Sequence, residues 1–407
     1  MSQGIIIVGA SQAGMQTALA ARSAGYTGSI LLVGEEPELP YQRPPLSKGF
    51  LLDKPGQDRI TLRTEDFYAE RDIGLRLGTR VSLLDCEARQ VITTGGEKIS
   101  YQGLALTTGA RVRQLPVPGA QAEGVCYLRT AAQARDLKAR MAVASRAVVI
   151  GGGFIGLEVA AALREKQLQV TVIEAQDRLM PRVVAPPVSA FYARKHSAQG
   201  VRVLLSTGVE AITTTASRVS GVRCSDGETI PADLVVVGIG VVPNSELAEQ
   251  AGLACSNGIE VDASTRTSDP HIVAAGDCAL HPNPYASTPI RLESVQNASE
   301  QSRVAGAVLA GVERSYDAVP WFWSEQYDLR LQMAGFSAGH DHYVMRGDPE
   351  QGQFSVFYFQ ADKWIGIDSV NRPMDHIAGR KLFSAGVNLT AQQAADESLS
   401  LKSLLPP

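Results

Sequence analysis

Two stretches of the chain read as short, unbroken apolar runs that stop on glycine, after which the hydrophobic spacing turns from strand-like to helix-like. The first is Ile5–Val8, followed by the turn GASQAG (Gly9–Gly14), a helical stretch to about residue 24, and a second run, SILLVGEE, ending on Glu35 and Glu36. Residues 147–174 repeat the plan with AVVI, the turn GGGFIG (Gly151–Gly156), a helix through about residue 166, and VTVIE ending at Glu174. Runs of this kind belong to parallel strands covered on both faces, and the order strand, turn, helix, strand makes each stretch a βαβ unit. The second unit is bracketed by LALTTGA (Leu104–Ala110) and LVVVGIGVVPN (Leu234–Asn244), both short strands ending in glycine turns, and TSDPHIVAAGDCAL supplies a further strand running into a Gly-Asp turn. One domain is therefore expected to lie inside another, with 1–109 and 242–320 forming a discontinuous domain around 110–241. From Trp321 the pattern changes to alternating aromatic strands (WFWSEQY, LRLQMAGF, QFSVFYFQ, KWIGIDSV), which predicts an antiparallel C-terminal domain over 321–407 with a short helix and tail at its end. The fold class is α/β.

The glycine turns carry the first chemical signal. Each opens a helix whose N-terminal amides and dipole can face a pyrophosphate, while glycines let the backbone approach the phosphate and a carboxylate at the tip of the next strand takes a ribose hydroxyl. Glu35 follows the first glycine of its turn by 26 residues and Glu174 by 23. In the first turn Ser11 replaces the middle glycine; its hydroxyl is small enough to contact phosphate. Two dinucleotide sites in one chain ask for two cofactors, and a flavin with a nicotinamide is the natural pair.

Composition narrows the picture by exclusion. The 407 residues are 44% hydrophobic, enough for two or three domains, and the net charge of −4 speaks against a nucleic-acid partner. The N-terminus lacks a positive leader region and every apolar run is strand-sized, so no bilayer crossing is expected. The 5 cysteines, Cys86, Cys126, Cys224, Cys255 and Cys278, stand singly, which gives neither a zinc spacing nor a local redox pair and fits a reduced cytoplasmic setting. The 6 histidines form no ligand cluster, and His196, His271 and His281 read as surface or loop residues. The segment LPYQRPPLSKGF (Leu39–Phe50) holds three prolines and Lys48 where folds of this type often carry a cysteine pair.

Taken in order, VGASQAG, LVGEEPELPYQRPPLSKGF, LALTTGA, GGGFIGLEVA, GIGVVPN, VAAGDCAL, RLESVQNA and WFWSEQYDLRLQMAG resemble the FAD-dependent, NADH-linked ferredoxin reductases of bacterial cytochrome P450 and ring-hydroxylating dioxygenase systems, the putidaredoxin reductase type. The resemblance spans nearly the whole chain, and Thr107 stands where that family usually has alanine. It implies two Rossmann-like dinucleotide-binding domains arranged as in glutathione reductase, plus a C-terminal α+β interface domain. It places Pro45 against the isoalloxazine ring, Lys48 near its N5 edge and Glu158 beside Lys48, so that a cation would favour the anionic reduced flavin. To FAD it also carries Gly9, Ser11, Ala13, Gly14, Glu35 (with Glu36 as alternative), Val81, Arg129, Asp277, Val295 and Trp323. To NADH it carries Gly151, Gly153, Phe154, Ile155, Gly156, Glu174, Arg182 and Gly238. A carboxylate at Glu174 disfavours a 2′-phosphate, although Arg178 and Arg182 lie close by in sequence.

The resemblance further implies a transiently docked [2Fe–2S] ferredoxin, met through a basic patch for which Arg303 and Arg330 are the candidates, and no metal of the chain's own. Competing readings stay open for single residues: a solvated surface lysine for Lys48, a plain helix residue for Glu158, a structural ion pair for Arg129 and an aromatic core residue for Trp323. For the whole chain the alternatives are a rubredoxin reductase and a flavoprotein resembling apoptosis-inducing factor.

Overall fold

The computed structural model describes residues 4–54, 56 and 59–406. These group into two compact units, one from the described residues of 1–42, 60–111 and 242–322, the other from those of 43–59, 112–241 and 323–407.

The first unit is built on parallel strands in the order Ile73–Arg76, Ile30–Val33, Gly4–Val8, Lys98–Leu106, Ile272–Ala274. The long strand Lys98–Leu106 also pairs antiparallel, through its first residues, with Gln90–Thr93, which in turn pairs with Val81–Asp85. Successive side chains of Gly4–Val8 alternate between two cores: Ile5 and Ile7 pack on one face with Met15, Ala18 and Val304, while Ile6 and Val8 pack on the other with Leu104, Leu106 and Ala274. A sheet buried on both faces requires the continuous apolar run seen in the sequence. Helices Gln12–Ser23 and Val295–Leu309 pack closely at Gly306, where a Cβ would stand 2.3 Å from the Thr17 carbonyl oxygen.

In the second unit the parallel order Val201–Leu204, Gln169–Ile173, Arg146–Ile150, Leu234–Val237, Val125–Tyr127 repeats the same winding. The C-terminal part is a 5-stranded sheet in the order Trp321–Gln326, Leu329–Gly335, Lys363–Val370, Gln353–Gln360, His342–Asp348, antiparallel from Leu329–Gly335 onward in that order. The expected C-terminal helix is Ala391–Ala395, followed by a 3-10 turn at Leu401–Leu404. A longer helix, Pro373–Ser384, was not foreseen; proline at its first position gives it a standard start, but no strong apolar stripe announces it. Among the described residues no helix is long and apolar enough to cross a membrane.

Candidate active site

The turn after Arg146–Ile150 separates glycines that the protein itself demands from one that it does not. Gly151 has φ +105°, and a Cβ there would stand 2.4 Å from the Gly238 carbonyl oxygen; at Gly156 it would stand 2.1 Å from the Gly151 oxygen. Gly153 has φ −81°, open to any residue, and a Cβ there would meet nothing within 4 Å. Neither backbone strain nor packing explains that glycine, so the open space leaves room for a ligand to approach the backbone. Gly153 is also the N-cap of helix Phe154–Glu165, which has no side-chain cap, and Ile155 in the first turn is 41% exposed. A pyrophosphate fits this arrangement. Glu174 braces the turn: its Oε2 accepts from the Gly152 amide at 2.7 Å and its Oε1 from the Gln176 amide at 2.9 Å. Of the two nearby arginines, Arg178 is engaged by the Val184 and Pro181 carbonyls, whereas Arg182 is exposed and reaches toward Gly240, whose Cβ would lie 3.3 Å from its Nη2.

The first unit holds the matching turn differently. Gly9 (φ +116°) and Gly14 are again fixed by packing, a Cβ falling 2.1 Å from the Thr107 oxygen and 1.9 Å from the Gly9 oxygen respectively. Ala13 and Gly14 are buried in the first turn of helix Gln12–Ser23, and Ser11, its N-cap, makes no side-chain capping bond. Strand register shows where the acids stand. Val8 pairs with Val33 and Ile150 with Ile173, so the residue opposite the first glycine is Gly34 in this unit but Glu174 in the other. Glu35 comes one position later, exposed and paired with Arg80 at 3.1 Å, while Glu36 is partly buried and accepts from the Tyr41 hydroxyl. Asp277 is half-buried after Gly276 (φ +86°), and its carbonyl accepts from Arg291 at 3.0 Å. Val295 is the first residue of a helix capped by Ser294, and Val81 is a partly buried strand end.

Pro45 and Lys48 belong to the second unit, where Pro44–Ser47 is a 3-10 turn with proline at its start. Lys48 Nζ lies 3.0 Å from Glu158 Oε1, the side chains being 14% and 4% exposed. Two hydroxyls join this pair. Ser47 donates to Glu158 Oε2 at 2.5 Å and Ser324 donates to Oε1 at 2.6 Å, so a buried carboxylate is met by three donors. The surface-lysine and plain-helix readings of these two residues are therefore wrong. Arg129, half-buried, is held by its backbone: its amide donates to Gln133, which also completes the capping box of helix Ala131–Met141, and its carbonyl accepts from Arg43 at 2.6 Å. Trp323, partly buried, lies on the strand that carries Ser324.

Ser47 and Ser324 were missed from the sequence. For Ser324 the signal was a polar residue on the inward side of a strand, since Ser324 and Gln326 are both buried at alternate positions of WFWSEQ; Ser47, in the proline turn, gave none. The histidine reading also needs correction. His196, in a helix, and His281 are buried, not on the surface, whereas His271 lies in a turn as read, half-buried against Arg89. His196 falls on the inward face of helix Pro186–Ala198 with Val188 and Tyr192, and His281 packs edge-on to Tyr316 at 5.0 Å, its pKa lowered to about 4 by burial. Dispersed histidines do not imply exposed ones. Both proposed docking cations are neutralised locally, Arg303 by Glu300 and Arg330 by Glu325.

Burial pushes all 5 thiols upward, Cys126 to about 12 and Cys255 to about 11, and none is paired in a disulfide. Among the described residues no His, Cys, Asp and Glu cluster could hold a metal ion.

Residues 3–302 match the pyridine nucleotide-disulphide oxidoreductase family, and residues 321–405 match the reductase C-terminal family. Rhodocoxin reductase of Rhodococcus erythropolis is 49% identical over 398 residues, 98% of this chain and 93% of that protein. The crystal structure of the ferredoxin reductase for the CYP199A2 system from Rhodopseudomonas palustris superposes with a TM-score of 0.97 at 45% identity, covering 100% of both chains. A putidaredoxin reductase, solved as its covalent complex with putidaredoxin, gives a TM-score of 0.96 at 40% identity over 99% of this chain and 98% of that one. With two glycine-turn units in sequence and a matching C-terminal sheet, the chain belongs to the pyridine nucleotide-disulphide oxidoreductase family, in its branch that carries the reductase C-terminal domain.

Proposed function

We propose that the protein is an NADH-dependent ferredoxin reductase that holds FAD and supplies a [2Fe–2S] ferredoxin of a cytochrome P450 or ring-hydroxylating dioxygenase system. The observation that carries this reading is the buried Lys48–Glu158 pair, standing in a chain whose 5 thiols all have their pKa raised by burial. When bound, FAD accepts hydride from NADH and gives up the electrons one at a time. The chain's own residues do the rest. Glu158, with Ser47 and Ser324, holds the Lys48 ammonium in one place, where it favours negative charge on the flavin edge. Pro45 and Trp323 wall that edge; Gly9, Ser11, Ala13, Gly14, Glu35, Val81, Arg129, Asp277 and Val295 bind FAD. Gly153 and Ile155, with Gly151, Phe154, Gly156 and Gly238, receive NADH, while Glu174 fixes the turn and repels a 2′-phosphate and Arg182 borders the site.

On this reading 1–109 with 242–320 act as the FAD domain, 110–241 as the NAD domain and 321–407 as the interface domain, in a cytoplasmic enzyme. Docking of the acidic ferredoxin is transient, and because Arg303 and Arg330 each stand beside a glutamate, they contribute little to it. Stopped-flow mixing of the purified protein with NADH, followed by ferredoxin or rubredoxin, tests the proposal. Flavin bleaching within seconds and preferential reduction of ferredoxin are expected. Bleaching over minutes with a lasting charge-transfer band, or a preference for rubredoxin, would refute it.

A further inference from the structure

The second unit contains a buried polar chain of which the mechanism above uses only the Ser324–Glu158 end. His196 Nε2 lies 2.8 Å from Gln326 Oε1, and His196 Nδ1 lies 3.3 Å from the Tyr327 hydroxyl. Gln326 Nε2 donates to Ser324 Oγ at 3.1 Å, and Ser324 donates to Glu158 Oε1 at 2.6 Å, the oxygen that also faces Lys48. His196, Gln326, Ser324 and Glu158 are all buried, so none can exchange its partner for water.

Counting donors fixes the direction of every bond. A carboxylate only accepts, so the single Ser324 proton goes to Glu158, and Ser324 must accept from the Gln326 amide nitrogen. That orientation turns the Gln326 carbonyl toward His196, which must then donate from Nε2. Its Nδ1 is left as the acceptor for Tyr327. Burial depresses the His196 pKa, and it raises that of the Tyr327 hydroxyl, so both stay neutral and the chain keeps one polarity.

We propose that His196, carrying its proton on Nε2, is a positioning residue for the Lys48–Glu158 pair, acting through Gln326 and Ser324. The inference rests on the reading that this pair faces the flavin. Among the described residues Glu158 Oε2 accepts only from Ser47, while Oε1 meets both Ser324 and Lys48, so a Ser324 hydroxyl no longer oriented by Gln326 and His196 leaves the carboxylate free to rotate and to carry the Lys48 ammonium with it.

Two measurements test this. Nitrogen-15 NMR of the ring should show the Nε2–H tautomer; an Nδ1–H ring would overturn the proposal without any variant. In the flavin-loaded protein, His196→Leu should slow flavin reduction by NADH about fivefold, the size of one lost hydrogen bond. It should also move the flavin midpoint potential to a more negative value. His196→Gln, whose amide can stand in for Nε2–H, should restore both to within about twofold. In a Lys48→Ala background His196→Leu should add nothing. Equal losses with or without Lys48, or no rescue by glutamine, would overturn the proposal. If Lys48→Ala slows reduction but His196→Leu does not, this inference alone falls; if Lys48→Ala changes nothing, the reading of the pair falls with it. Should His196→Leu fail to fold, the tautomer measured on the unaltered protein decides.

Discussion

Replacing Glu158 by glutamine keeps the shape of the side chain and removes only its charge, which makes it a sharp probe of the buried pair. At 3.0 Å the Lys48–Glu158 attraction amounts to about 5–6 kcal/mol for an effective dielectric constant near 20, a gross figure that desolvation of both groups largely offsets. Breaking the pair is costly for another reason. The Lys48 side chain is only 14% exposed, and without its counter-charge it becomes a poorly hydrated cation. Removing one partner of a buried pair costs about 3–5 kcal/mol. Glutamine can still accept one of the three donors, which argues for the lower end, about 3 kcal/mol. In a unit of this size that corresponds to a fall of about 6–12 °C in Tm. Lys48→Met alone should cost less, about 2 kcal/mol, because Ser47 and Ser324 still satisfy the carboxylate. The double variant leaves no buried charge unpaired, and it should be more stable than the sum of the singles by about 2 kcal/mol. The assay is chemical denaturation of the four proteins followed by far-ultraviolet circular dichroism. Additive losses, agreeing within about 0.5 kcal/mol, would refute the reasoning and return Lys48 to the status of a solvated side chain.

Gly153→Ala should leave Tm unchanged within about 1 °C, since the added Cβ meets no protein atom, yet raise the KM for NADH about tenfold; an unaltered KM would mean that the space does not receive the cofactor. Glu174→Arg should raise the NADPH-to-NADH ratio of kcat/KM by removing the repulsion of a 2′-phosphate, and should also lower activity with NADH because the Gly152 and Gln176 amides lose their acceptor; unchanged selectivity in steady-state kinetics would count against the assignment. Asp368, fully buried beside the Tyr358 hydroxyl, has its pKa raised by burial to about 7, so the folded chain holds a proton that the unfolded chain releases above pH ~4. Its contribution to stability therefore falls as pH rises from about 4 to about 7. The stability difference between Asp368→Asn and the parent should grow in favour of the variant by up to about 4 kcal/mol across that window, and a difference that does not vary with pH would exclude a protonated Asp368.

What could be read from the sequence was whatever depends on local spacing. The two strand-to-glycine runs and the alternating C-terminal strands lie where their apolar patterns put them, because burial on one or both faces writes a period into the chain. Partners brought together by the fold wrote no such period. Lys48 and Glu158 came together only through a family resemblance, and their two serine partners went unnoticed because a hydroxyl is common on any surface. The one-residue offset of Glu35 from Gly34, the place that Glu174 fills in the second unit, is a matter of strand register, which the 26- and 23-residue spacings alone do not resolve. His196 misled for the opposite reason. Its ring is polar, but the helix periodicity of Val188, Tyr192 and His196 placed it inward, and Gln326 was there to meet it.

The two glycine turns show how one demand can be met by different atoms. Both need a strand end, a tight reversal and a helix start held rigid while the backbone itself stays bare for a phosphate. In the second unit a carboxylate directly opposite the first glycine does this by accepting the Gly152 amide. In the first unit that place is Gly34, where a Cβ would stand 2.5 Å from the Ala10 Cβ, so no side chain can reach in from there. The tether comes instead from the neighbouring strand: the Thr107 hydroxyl shares its one proton between the Gly9 carbonyl at 2.9 Å and the Val8 carbonyl at 3.1 Å. Gly238 occupies the corresponding strand end in the second unit, its carbonyl packing on Gly151 as that of Thr107 packs on Gly9, and it has no side chain to offer. Threonine at 107 and glutamate at 174 are thus alternative solutions to the same mechanical problem. The hydroxyl solution leaves Glu35 and Glu36, one and two positions further along, free of the bracing task that engages Glu174.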